Sequence, residues 1–166
     1  MNASAQASQS LDLAAVEEFL QTEADLLDQG DLARWMELYT DDGTYWLPVR
    51  EGQESPLDEI SIMYENRTLM AIRCNNFGHR LSPSMAYPVR SSRILSRFRI
   101  TELDETSGDC TVRCKFQAVV NYREQTLFAG TYTHKLKRTA NGYRIVQKRV
   151  DLINCDADHK SLLIYL

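Results

Sequence analysis

The stretch Cys110–Tyr122, "CTVRCKFQAVVNY", decides the fold. Cys110, Val112, Cys114, Phe116, Ala118, Val120 and Tyr122 share one parity, while Thr111, Arg113, Lys115, Gln117 and Asn121 mostly fill the other. Successive strand side chains point to opposite faces, so this pattern predicts a strand with one buried and one solvated side, as antiparallel sheets commonly have. At helical spacing the same apolar residues would spread around the whole axis.

Working outward, residues 127–138 and 143–153 continue the alternation, joined by "EQT" and by "ANG", whose Asn141-Gly142 is a strong hairpin signal. Upstream, beyond "DETSGD", residues 93–100 place Ile94, Phe98 and Ile100 on one side and Arg93, Arg97 and Arg99 on the other. Before Pro88 the period becomes helical. Leu13, Val16, Leu20, Ala24 and Leu27 predict one helix, capped by Ser10 and stopped by Gly30. Asp31 opens a shorter helix, the "DDG" of 41–43 reads as a turn, and 44–49 as a short strand. Ser55-Pro56 is expected to open a third helix, burying Ile60, Met63, Tyr64, Met70 and Cys74. The expectation is α+β, three N-terminal helices packed in a strongly curved, mainly antiparallel sheet. Residues 1–10 are expected to be a disordered tail, and 11–166 one domain.

Composition narrows the function classes. Hydrophobic content of 43% and charged content of 25% are ordinary for a soluble globular chain. A net charge of −4 argues against a nucleic-acid partner, no apolar run approaches a membrane span, and "MNASAQASQS" lacks the features of a signal peptide. The cytoplasm is therefore the expected compartment. Of the four cysteines, Cys110 and Cys114 share a strand face at roughly 13 Å, too far apart to hold one metal.

The chain resembles the cone-shaped, nuclear-transport-factor-2-like (NTF2-like) fold of ketosteroid isomerase, scytalone dehydratase and polyketide cyclases. More specifically, it is similar to the small (β) subunit of aromatic-ring-hydroxylating dioxygenases. The resemblance is carried by "WMELYTDDGTYWLPVRE" (35–51), "ISIMYENRTLMAIR" (60–73), "YPVRSSRILSRFRI" (87–100) and "KRVDLINCDADHKSLLIYL" (148–166). It departs at Arg93 and Arg97, where many relatives carry His and Asn. The resemblance implies a partner: a large subunit carrying a Rieske iron-sulfur cluster and a mononuclear Fe(II), in a hexamer of three large and three small subunits. A reductase, often with a ferredoxin, would supply electrons from NAD(P)H, and O2 would be added to an aromatic ring to give a cis-dihydrodiol. The small subunit's implied role is structural, with no cofactor of its own.

Chemistry within the chain itself would need particular residues. A Rieske centre needs two Cys and two His, and a mononuclear oxygenase iron needs two His and a carboxylate. The histidines here, His79, His134 and His159, stand apart and no cysteine has the required neighbour. Where a ketosteroid isomerase places its base, this chain has Leu47, which accepts no proton. The remaining alternative is a stand-alone lyase or isomerase using a His–Asp dyad drawn from Asp31, His79 and His134, with a small-ligand-binding module behind it. Subunit contact is expected instead from Arg90, Arg93, Arg97 and Arg99, from Trp46, and from the apolar ending that includes Tyr165 and Leu166.

Overall fold

The computed structural model describes residues 3–77, 88–159, 162 and 164–166, and side chains from residue 13 onward. A six-stranded sheet runs in the order β2-β1-β6-β5-β4-β3, with β1 (Tyr39–Pro48) parallel to β6 (Gly142–Leu152) and the other neighbours antiparallel. The remaining strands are β2 (Ser61–Asn66), β3 (Arg90–Leu103), β4 (Cys110–Tyr122) and β5 (Glu124–Thr139). Helices α1 (Ala3–Gln29), α2 (Leu32–Glu37) and α3 (Arg67–Asn76) complete the α+β cone, with α1 against β3 and β6.

The alternation of β4 is realised: Cys110, Val112, Cys114, Phe116, Ala118 and Val120 are buried in one core that also holds residues of all three helices, and Tyr122 at the strand end is half-buried. Val16, Leu20, Ala24 and Leu27 supply the apolar stripe of α1, and each fully buried Val or Leu side chain contributes about 1.5–3 kcal/mol. Gly30 ends α1 with φ +71, its N–H donating to the Leu27 carbonyl while that of Asp31 reaches the Leu26 carbonyl. A left-handed residue at this point suits glycine best.

Several local expectations are corrected. The backbone of α1 begins at Ala3, ahead of Ser10, so residues of the expected tail extend the helix; their Ala and Gln content carries little helical cost. Residues 61–66 form β2 rather than the start of the third helix, because Met63, Tyr64 and Glu65 pair with Leu47, Trp46 and Tyr45. Helix α3 starts only after Asn66, whose carboxamide oxygen accepts from the Leu69 N–H. Ser55 caps nothing longer than a turn, accepting from the Leu57 N–H. "DDG" lies inside β1 as an irregularity, with register shifting between Tyr39 and Thr44.

The most consequential correction concerns β3. Ser91, Arg93 and Leu95 face inward, followed after a register shift between Ser96 and Arg99 by Phe98 and Ile100. Arg97, at φ 57, is the pivot. An extra residue in a strand reverses the parity of everything beyond it. Arg93 therefore does not share a face with Arg97 and Arg99, and Ile94 is outward.

Candidate functional site

The interior of the cone carries a charged cluster. Glu23 lies in the apolar stripe of α1, one helical turn from both Leu20 and Leu27; Lys148 alternates with Val150 and Leu152 on β6; His134 alternates with Tyr132 and Leu136 on β5. All three are 0% exposed. Glu23 Oε1 accepts from Lys148 Nζ at 2.7 Å and from Trp35 Nε1 at 2.7 Å. His134 Nε2 stands 3.8 Å from Glu23 Oε2, which is beyond hydrogen-bond length, and neither imidazole nitrogen has a hydrogen-bond partner among the described residues. Lys148 Nζ also sits 4.2 Å from the centroid of Tyr132, whose ring stacks on Phe116 at 3.8 Å.

Electrostatics follow from this packing. Burial by itself would raise the Glu23 carboxyl; the Lys148 ammonium beside it outweighs burial and holds Glu23 below the usual carboxylate range. Burial pulls His134 below the usual imidazole range, only partly offset by Glu23, so the ring is neutral near pH 7. Burial likewise pulls Lys148 down, an effect the Glu23 carboxylate opposes. Burial pushes Cys114 up to about 12 and Cys74 to about 11, which leaves both as thiols.

Tyr165 and Leu166 are buried in the core of the cone. Tyr165 stacks on Trp35 at 4.6 Å and meets Tyr45 edge-on at 4.8 Å. Its hydroxyl donates to Glu65 Oε2, and Glu65 is also paired with Arg73. Leu166 N–H donates to the Tyr45 hydroxyl at 3.0 Å. Arg93 pairs with Asp28 and donates to the Tyr165 carbonyl at 2.6 Å, tying β3, α1 and the tail together.

The sequence-derived candidates are dispersed. Asp31 is the N-cap of α2, accepting from the Arg34 N–H, and takes no part in the interior cluster. His79 lies outside the described residues. His134 does point into the cone, and its carboxylate neighbour is Glu23, which the sequence reading missed although its place in the apolar stripe was visible. Arg93 has only 1% of its side chain exposed, and Tyr165 and Leu166 are buried within the chain. Trp46 is buried too, donating to Ser61 Oγ at 3.0 Å beneath the Arg149 guanidinium at 4.3 Å. Arg90, Arg97 and Arg99 are exposed. Among the described residues no group of three or more His, Cys, Asp or Glu converges as a metal site.

Comparison with known proteins agrees with this geometry. Residues 22–158 match the family described as ring hydroxylating beta subunit. The chain is 30% identical over 147 residues to the beta subunit of toluate 1,2-dioxygenase from Pseudomonas putida, covering 84% of this chain and 89% of that one. Among solved structures, the beta subunit of benzoate 1,2-dioxygenase from Burkholderia mallei superposes with a TM-score of 0.70 at 24% identity, over 86% of this chain and 91% of the other. An NTF2-like protein with a cystatin-like fold from Novosphingobium aromaticivorans gives 0.60 at 21% identity, over 92% and 89% of the two chains. The structural matches establish the cone fold, and the family match over most of the length establishes more: this chain belongs to the ring-hydroxylating beta-subunit family, as a subunit of a ring-hydroxylating dioxygenase.

Proposed function

We propose that this subunit is a non-catalytic scaffold, which packs against an iron-bearing large subunit and helps hold three such pairs in a hexamer. In that assembly the large subunits carry the Rieske cluster and the mononuclear iron, fed from NAD(P)H through a reductase. They add O2 to an aromatic ring to give a cis-dihydrodiol. The contribution of this chain is positional: electron transfer between subunits needs a geometry that a loose trimer does not keep.

One observation carries the reading. The interior His–carboxylate neighbours, His134 and Glu23, are both 0% exposed, with Glu23 neutralised by Lys148. A general base must reach the proton it takes, directly or through one water. A fully enclosed carboxylate already spent on an ammonium and an indole N–H does not meet that condition. Tyr165 and Leu166 pack into the interior of the cone against Trp35 and Tyr45.

Co-expression with the cognate large subunit tests the reading. A brown complex that hydroxylates an aromatic substrate, with turnover per complex unchanged by His134→Ala and His79→Ala, is the expected result. Turnover of an aromatic or polyketide substrate by the colourless chain alone, abolished by His134→Ala, overturns it.

A further inference from the structure

The outer face of β3, β4 and β5 carries two adjoining features that the fold itself does not use. The first is basic. Arg97 and Arg99 on β3, with Arg113 and Lys115 on β4, border an open depression of about 350 Å³ whose edge includes Thr101 and Thr131. Arg99 is the direct cross-strand partner of Arg113, and Lys115 of Thr131. Among the described residues, no carboxylate pairs with any of these four cations. The nearby Glu102 accepts instead from the Thr111 hydroxyl at 2.7 Å.

Like charges directly opposite each other weaken a sheet, and a non-glycine residue at φ 57 is strained. Both costs have one origin. Before the bulge the inward residues are Ser91, Arg93 and Leu95, so an unbroken strand would carry Arg97 and Arg99 into the core next. The bulge turns them out, beside Arg113. In a chain of net charge −4, this concentrates unpaired positive charge on one patch.

The second feature is apolar and continuous with the first. On the same face, Ile94 is 67% exposed, Leu127 63% and Ile153 79%. Ile94 pairs with Gln117, Gln117 with Ala129, and the Ala129 carbonyl accepts from the Ile153 N–H, so Ile94 and Ile153 end one row that also carries the polar Gln117, and Leu127 lies in the neighbouring row opposite Val119. An apolar row beside a cationic depression matches a protein surface, with an apolar centre and a charged rim. A polyanion such as nucleic acid would leave the apolar row uncovered and would face an acidic molecule beyond the patch.

Resting on the scaffold reading, we infer that this outer face is where the large subunit docks, with carboxylates of the large subunit seated among Arg97, Arg99, Arg113 and Lys115 and its apolar side chains over Ile94, Leu127 and Ile153. Charge complementarity fixes register and accelerates encounter, and the apolar row supplies the burial.

Affinity for the purified large subunit, titrated from ~0.05 M to ~0.5 M NaCl, tests this. Wild-type binding should weaken as salt rises. R99E/R113E should lose affinity on the order of 100-fold at low salt and flatten the salt dependence. I94D should weaken binding while keeping the wild-type salt slope, and R34E, on the distant α2, should change neither. Circular dichroism and thermal melts identify any variant that fails to fold, in which case R99Q/R113Q replaces it. Wild-type affinity and salt slope in a folded R99E/R113E or R99Q/R113Q overturns the docking face and leaves the scaffold reading standing. No complex with the wild-type chain removes both. Altered self-association of the isolated subunit, with binding to the large subunit unchanged, assigns the face to a second copy of this chain and overturns the proposal.

Discussion

Glu23 on α1 and Lys148 on β6 meet at 2.7 Å in the interior of the cone, with neither side chain exposed to solvent. The pair joins the first helix to the last strand, and Trp35 and His134 complete its surroundings. Such a pair adds little over apolar packing, yet breaking it strands a charge in a low-dielectric site.

Removing one partner is therefore the damaging change. Glu23→Leu and Lys148→Met should each cost about 3–5 kcal/mol, whereas the double variant Glu23→Leu/Lys148→Met should recover most of that loss. Urea denaturation of the two single variants and the double variant supplies the cycle. Additive losses would show that the two charges do not depend on each other.

Acid should destabilise the isolated subunit early. The unfolded chain takes up the His134 proton near 6.5, while the folded chain takes it up only at lower pH, so protons favour unfolding as pH falls below 6.5. Glu23 has the same sign lower down: its folded carboxyl lies below the ordinary 4.5, so the stability it contributes is present above 4.5 and is lost as pH falls further. Denaturation midpoints measured from about pH 8 to about pH 5 should decline in the wild type, and a folded His134→Gln variant should decline less.

The tail should be worth a core residue. Tyr165→Ala removes the stack on Trp35 and should cost about 3–5 kcal/mol. Tyr165→Phe keeps the ring but loses the bond to Glu65, for about 1 kcal/mol. Thermal melts of both variants rank the two contributions.

Gly130 on β5 admits no side chain. A Cβ there would lie 2.0 Å from the Asp151 carbonyl oxygen, so backbone must move. Gly130→Ala should lower stability by about 1–3 kcal/mol or more, read as a lower melting temperature, by forcing β5 and β6 apart.

Short-range periodicity determined a great deal. The one-sided alternation of residues 110–122, the Asn141-Gly142 hairpin and the stripe on α1 all appear in the structure because one buried face imposes one period. What tertiary structure decided lies where parity breaks or where a polar residue enters an apolar stripe. The bulge at Arg97 separates Arg93 from Arg97 and Arg99, and no local rule marks which residue of "SRFRI" takes the left-handed turn. Residues 61–66 became a strand because β1 offered an edge, not because their own pattern demanded it. Glu23, Lys148 and His134, distant in the chain, read singly as a helix carboxylate, a strand lysine and a lone histidine. Only the closed cone makes them neighbours, because a buried charge is tolerated when long-range folding delivers its counter-charge.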